Sequence, residues 1–286
     1  MTTWPIGCGQ LTWRPERDTD ADHAIVLREI ADAGYDGAPA PASGPERAAR
    51  EFAEAGLRPA PGYLGARFWD RDARDEILAR AREQVATSQA LGVTELYAAA
   101  SLTPERRLLA GHVSPEDALA PDALRIFAGT LSEVGRIAQD HGVALCFHHH
   151  VGSFIETRAE LDQLFALVDR EVVFLGPDFG HLVWAGDDPL ALIRDYGTAI
   201  RTVHIKDLNR EVLDRGVAAT WDYATFSANG LFTELGTGFI DYRPIFAALT
   251  EQGFDGWVIV ETDVTQLPTA RESATISRAY LRNLGI

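Results

Sequence analysis

The sequence predicts a single (β/α)8 barrel spanning residues 1–286. Three observations carry that prediction. Short apolar runs alternate with longer amphipathic segments along the whole chain, giving eight strand–helix units. The segments ending at Gly34, Gly56, Gly92, Gly142 and Gly253 repeat one device, a helix end followed by glycine and then an apolar run. Glycine just past a helix takes left-handed backbone at little cost and turns the chain into the next strand. Finally, no Pro/Gly/Ser-rich linker divides the chain, and no Gly-rich dinucleotide fingerprint follows the first strand, so a doubly wound sheet fits less well.

The first apolar run, around Ile6 to Leu11, precedes a helix from about Asp20 to Ala33. Tyr35 to Pro41 reads as extended, Pro45 to Ala55 as a helix, and Leu57 to Leu64 as extended again. Apolar residues spaced three and four apart predict a helix from Asp72 to Leu91. Val93 to Ala99 is a strand and Pro121 to His141 a long helix, followed by the strand Val143 to Phe147. Helix Arg158 to Asp169, strand Val172 to Leu175, helix Pro189 to Tyr196 and strand Ile200 to Ile205 continue the alternation. An irregular connection over 206–238 leads to helix Tyr242 to Gln252, strand Trp257 to Glu261 and helix Ala270 to Leu284. Its length suits a lid over a pocket.

Composition narrows the function. The hydrophobic fraction of 46% supports a large core, and the net charge of −16 disfavours nucleic acid and anionic membranes, which need a basic face. Two cysteines make no disulfide framework and suit a reducing compartment. The first residues lack the basic and apolar regions of a signal peptide, and no apolar stretch reaches the ~20 residues that span a bilayer. A soluble, cytoplasmic protein is expected, its oligomeric state left open. Among 26 basic residues, Lys206 is the single lysine. Lysine, unlike arginine, gives up its proton when burial lowers its pKa.

In a barrel the active site lies at the C-terminal ends of the strands. Strand five ends in His148, His149 and His150, with Glu156 close behind. Strand six delivers Asp178 and His181, strand seven His204, Lys206 and Asp207, and strand eight Glu261 and Asp263. Any one of these has an ordinary explanation as a helix cap or a packed core residue. Together on one rim they suit a divalent cation, with a coordination position left for substrate. Lys206 lies two residues after His204 and so shares its face of the strand.

These strand ends resemble the xylose-isomerase-like barrels, a superfamily of sugar isomerases, ketose 3-epimerases and inosose dehydratases. The resemblance covers essentially the whole chain, and His148–Thr157, Val203–Asp207 and Gly256–Glu261 are most similar to inosose dehydratases. It implies that Asp178, His181, His204 and Glu261 surround metal and substrate. Many members carry a glutamate where this chain has His148, so the resemblance assigns the remaining ligand to Glu156, with His148 as the alternative. The Tyr35–Ala40 segment lacks the glutamate that many relatives carry on strand two.

The implied chemistry is proton abstraction alpha to a ketone of a keto-polyol or keto-sugar, with Mn2+ as the expected ion and Mg2+, Co2+ or Zn2+ as alternatives. Glu261, Lys206 and His150 are candidate bases; His149, His181, Arg210, Trp69 and Glu234 are candidate substrate contacts, with Arg67 beside Trp69. Loss of a β-hydroxyl makes the enzyme a lyase; return of the proton elsewhere makes it an isomerase or epimerase. A 3-keto-glycoside eliminase would use the same site. A non-catalytic sugar-binding barrel and a DNA-repair barrel of the endonuclease IV type are the remaining readings. The acidic charge weighs against the last.

Overall fold

The computed structural model describes residues 4–14 and 22–286. Its strands are β1 (Ile6–Cys8), β2 (Gly37–Pro39), β3 (Arg58–Ala60), β4 (Gly62–Ala66), β5 (Glu95–Ala100), β6 (Ala144–His148), β7 (Val173–Leu175), β8 (Val203–Ile205), β9 (Asp207–Leu208), β10 (Phe232–Thr233) and β11 (Val258–Val260). The helices are α1 (His23–Ala33), α2 (Pro45–Ala55), α3 (Arg74–Ala90), α4 (Pro104–Leu108), α5 (Pro121–Gln139), α6 (Arg158–Phe165), α7 (Phe179–Trp184), α8 (Pro189–Tyr196), α9 (Arg210–Ala218), α10 (Tyr223–Ala228), α11 (Tyr242–Glu251) and α12 (Ala270–Asn283).

The parallel ladder runs β3-β2-β1-β11-β8 and β4-β5-β6-β7. Single parallel bridges, Leu175 to Ile200 and Asp178 to His204, close β7 onto β8. The third barrel strand, expected as one extended piece, is broken at Pro61 into β3, which pairs with β2, and β4, which pairs with β5. Proline has no N–H for the ladder, so the break falls where a donor is missing. The result is the expected (β/α)8 barrel.

The helices obey the signals in the sequence. Gly34 and Gly56 adopt φ of 89° and 71° at the ends of α1 and α2. The expected start of α1 at Asp20 lies outside the described residues. The side chains of Thr157, Asp178, Asp188, Asn209, Asp222, Asp241 and Thr269 cap the helices that follow them. The 206–238 connection is more ordered than expected: β9 and β10 pair antiparallel, with α9 and α10 between them. Asp207 organises its return, accepting the amides of Leu208, Gly236, Gly238 and Ile240.

Inside the barrel, Ala60, Tyr97, Cys146 and Ile259 form a small apolar plug, all fully buried. The Tyr97 hydroxyl lies 2.5 Å from Thr202 Oγ1, joining β5 to the start of the β8 segment. This plug is the floor on which the polar strand ends sit. No described helix is long and apolar enough to cross a membrane.

Candidate metal and substrate site

His148 ends β6 with its Nδ1 3.2 Å from the Gly176 carbonyl. That contact fixes Nδ1 as the donor and leaves Nε2 as a lone-pair nitrogen. Asp178 caps α7 through Oδ1, which accepts the His181 amide at 3.0 Å. Its Oδ2 makes no hydrogen bond, although fully buried. The Lys206 ammonium stands 3.2 Å from that oxygen as its charge partner, and ligand atoms of His148 and His204 lie within 4.8 Å of Asp178. His204 Nδ1 lies 3.1 Å from Glu261 Oε2 and 4.0 Å from Asp178 Oδ2. Ligand atoms of His148, Asp178 and His204 all fall within 4.8 Å of one another, and so do those of His150, His181 and Asp263.

Lys206 Nζ sits between three carboxylates, 2.6 Å from Glu261, 2.5 Å from Asp263 and 3.2 Å from Asp178. Burial alone would lower its pKa, but Asp178, Asp263 and Glu261 outweigh that and hold it well above its usual value. Burial likewise pushes Asp178 and Asp263 up, and Lys206 with the histidines more than reverses it. Burial draws His150 down to about 3 and His149 to about 4, and holds His148 well below its ordinary value, so these three are neutral. Three carboxylates face one ammonium, so negative charges are in excess at the edge of the cavity. A divalent cation balances them, and an isolated buried charge would be costly. The donor set therefore fits such an ion.

Two glycines make the approach of these groups sterically open. A Cβ on Gly9 would stand 2.5 Å from the Glu261 carboxylate, and one on Gly180 would stand 2.6 Å from Lys206 Cβ. The spacing Asp178-Phe-Gly-His181 is explained by the second: α7 begins flush against β8.

His150 lines the cavity, its ring centroid 3.6 Å from that of His181. Neither nitrogen of His181 has a hydrogen bond, while its Nε2 lies 3.6 Å from Asp263 Oδ2. The Tyr223 hydroxyl, delivered by α10, donates to the same Asp263 oxygen at 3.1 Å. Tyr63 stands edge-on to His148 at 5.5 Å and opens into the cavity. The sequence places Asp263 on the rim without assigning it a role, and it assigns none to Tyr223, Tyr63 and Tyr97. Asp263 was legible, because it shares the strand face of Glu261 two residues earlier; the tyrosines carried no such signal.

Several expected members lie elsewhere. Glu156 does not join Asp178, His204 and Glu261; its two oxygens accept the amides of Gly111 and Gly152, each at 2.8 Å, with Arg106 3.9 Å away. His148 stands beside Asp178 and His204 instead. His149 is fully buried with both nitrogens unpartnered and does not line the cavity. Trp69 packs against Phe154 and Phe127 at 4.9 and 6.3 Å. Arg67 is exposed beside Asp70, and Arg210 lies over the Phe239 ring at 3.6 Å, next to Asp214. Glu234 Oε1 accepts from Thr265 at 2.6 Å. None of Trp69, Arg67, Arg210 and Glu234 lines the cavity.

Residues 27–284 match the family model described as xylose isomerase-like TIM barrel. The inosose dehydratase of Clostridium beijerinckii is 36% identical over 159 residues, covering 55% of this chain and 53% of that protein. That of Geobacillus kaustophilus is 30% identical over 250 residues, covering 83% and 79%. The chain thus spans about half the length of the Clostridium relative and most of the Geobacillus one. Among solved structures, the IOLI protein with a bound zinc atom superposes with a TM-score of 0.71 at 20% identity over 98% of this chain and 97% of that one. L-ribulose 3-epimerase superposes at 0.73 and 20% identity, over 99% and 94%. Both show a shared fold.

Proposed function

The chain belongs to the xylose isomerase-like TIM barrel family, and we propose that it is a divalent-metal-dependent lyase of the inosose dehydratase type. It would act on a keto-polyol or keto-sugar by removing the proton alpha to the ketone and expelling a β-hydroxyl. The observation that carries this reading is the convergence of His148, Asp178 and His204, their ligand atoms within 4.8 Å of one another, with Glu261 3.1 Å from His204. The similarity to inosose dehydratases supports it.

Those four residues would hold the ion. When bound, it supplies a Lewis acid that draws electron density from the ketone. The chain's own residues do the rest. Lys206 directs its three N–H groups to Asp178, Glu261 and Asp263 and so fixes those carboxylates around the site. His150 is neutral, and its Nδ1 faces the Val151 carbonyl at 2.7 Å, leaving Nε2 as the base. It takes the α-proton, and the imidazolium so formed is stabilised by Asp263. The same proton then passes to the departing β-hydroxyl, which leaves as water and yields an enone. The 206–238 connection acts as the lid, with Tyr223 its contribution to the site.

Metal analysis and turnover test this together. Purified protein should carry a single divalent ion per chain and convert keto-inositol to an absorbing enone. His148→Gln should weaken metal binding by roughly tenfold or more, and Glu156→Gln should leave it in place. Metal lost on Glu156→Gln but kept on His148→Gln would overturn the assignment of His148. Metal-replete protein with no enone product from keto-inositol would overturn the lyase.

A further inference from the structure

Gln84 belongs to α3, one of the helices of the outer ring, yet it lines the cavity at the barrel mouth. Its place is set by the break in the third barrel strand. β3 ends at Ala60 and β4 begins at Gly62, with Pro61 between them. Proline gives the ladder no N–H there, and glycine leaves the adjoining space free of a side chain. A Cβ on Gly62 would stand 3.2 Å from Gln84 Nε2 and 2.8 Å from the Ala40 carbonyl. The amide thus lies at the break, between the helix layer and the cavity.

Nothing in the fold uses its donor. Gln84 is only 4% exposed, and its Nε2 has no hydrogen-bond partner. A buried amide left unpaired costs stability, so such a group calls for a partner that arrives later. The surrounding wall is short of other buried donors. Pro39, Pro41 and Pro61 bring no N–H to it, and Gln10 Nε2 is committed to the Pro39 carbonyl at 3.0 Å. Ser101, half-buried, and Arg14, exposed, complete the polar lining of this side.

The partner can be named by its chemistry. Tyr63 directly follows Gly62 and stands edge-on to His148 at 5.5 Å, so β4 links the place of the amide to the charged half of the site. A small polyol ring whose ketone lies over the histidines turns its far edge towards β4. A ring hydroxyl both donates and accepts, and therefore matches an amide whichever end faces it.

We infer that Gln84 is a specificity-determining residue, its amide binding a ring hydroxyl on the side of the substrate turned away from the ketone. This rests on the keto-polyol reading above and deepens it.

Gln84→Met tests the assignment, because it keeps the length of the side chain and removes the amide. Metal content, Tm without substrate, calorimetric affinity and kcat/KM are compared with wild type on the metal-loaded protein, using keto-inositol and its monodeoxy analogues. The variant should keep its metal and melt no lower than wild type, since it loses a polar group that the fold leaves unpaired. Its affinity for keto-inositol should fall roughly tenfold or more. Wild type should reject one monodeoxy analogue by a similar factor, and the variant should bind that analogue and keto-inositol alike. A lower Tm in the substrate-free variant marks the amide as part of the fold and overturns the inference, whatever the substrate. Discrimination that survives in the variant overturns it as well. Enone formation unaffected by Gln84→Met removes the inference and leaves the lyase standing. Discrimination that depends on Gln84, with no enone formed, removes the lyase and leaves the hydroxyl contact.

Discussion

The two halves of the barrel rim have the same backbone and opposite chemistry. Over β1 to β5 the strands and their exits present Gly9, Pro39, Ala40, Pro61, Ala99 and Ala100. Over β6 to β11 they present His148, Asp178, His204, Lys206, Glu261 and Asp263. The first half makes room and the second makes charge. Neither works alone: Gly9 belongs to the bland half, yet only its missing Cβ leaves space for the Glu261 carboxylate. A (β/α)8 barrel is near-symmetric in architecture, so a site with one charged and one uncharged half must come from asymmetric strand ends.

Lys206→Met should break the contrast most strongly. It leaves Asp178, Glu261 and Asp263 facing one another in a buried site, and the metal-free variant should lose about 3–5 kcal/mol of stability. Added Mn2+ should restore much of that, because the ion takes over the neutralisation. Urea unfolding with and without metal reads both. A metal-free variant as stable as wild type would show the carboxylates to be protonated rather than paired.

Gly9→Ala probes the dependence of the charged half on the bland one. The added methyl stands against Glu261, and overpacking of this kind costs about 1–3 kcal/mol. Metal affinity should fall with stability although Gly9 offers no ligand atom. Unchanged metal titration would separate the halves that the geometry joins.

The smallest effect concerns pH and lies beneath the charged half. Burial lifts Glu156 to about 7 from its ordinary 4.5, against the opposing Gly152 and Gly111 amides and Arg106. Between those values the folded protein holds a proton that the unfolded chain has released. Stability from this group is therefore complete below about 4.5 and is lost as pH rises through about 7, with a slope of at most about 1.4 kcal/mol per pH unit. The buried histidines act with the opposite sign, their folded pKa values being depressed. The difference between wild type and Glu156→Gln, followed by urea unfolding from about pH 5 to 7, isolates Glu156. A pH-independent difference would place its folded pKa near the unfolded one.

The sequence by itself determined the barrel, the strand ends on which the site is built, and the pairing of chemistry with strands six to eight. Those features are local: hydrophobic period, glycine at helix ends, and side chains two residues apart on one strand face. His204, Lys206 and Glu261 were readable because each is within a residue of a strand's end, where that parity still holds, while Asp178 lies three residues past β7 and meets β8 through its bridge to His204. Only the tertiary structure shows that His148, and not Glu156, stands beside Asp178 and His204. Glu156 lies eight residues beyond the end of β6, where the chain has turned and two backbone amides claim its oxygens. It also decided that Arg210, Trp69 and Glu234 pack elsewhere, and that Tyr223 arrives from α10 to reach Asp263. Loop side chains take their direction from what they pack against, and no periodicity along the chain encodes that.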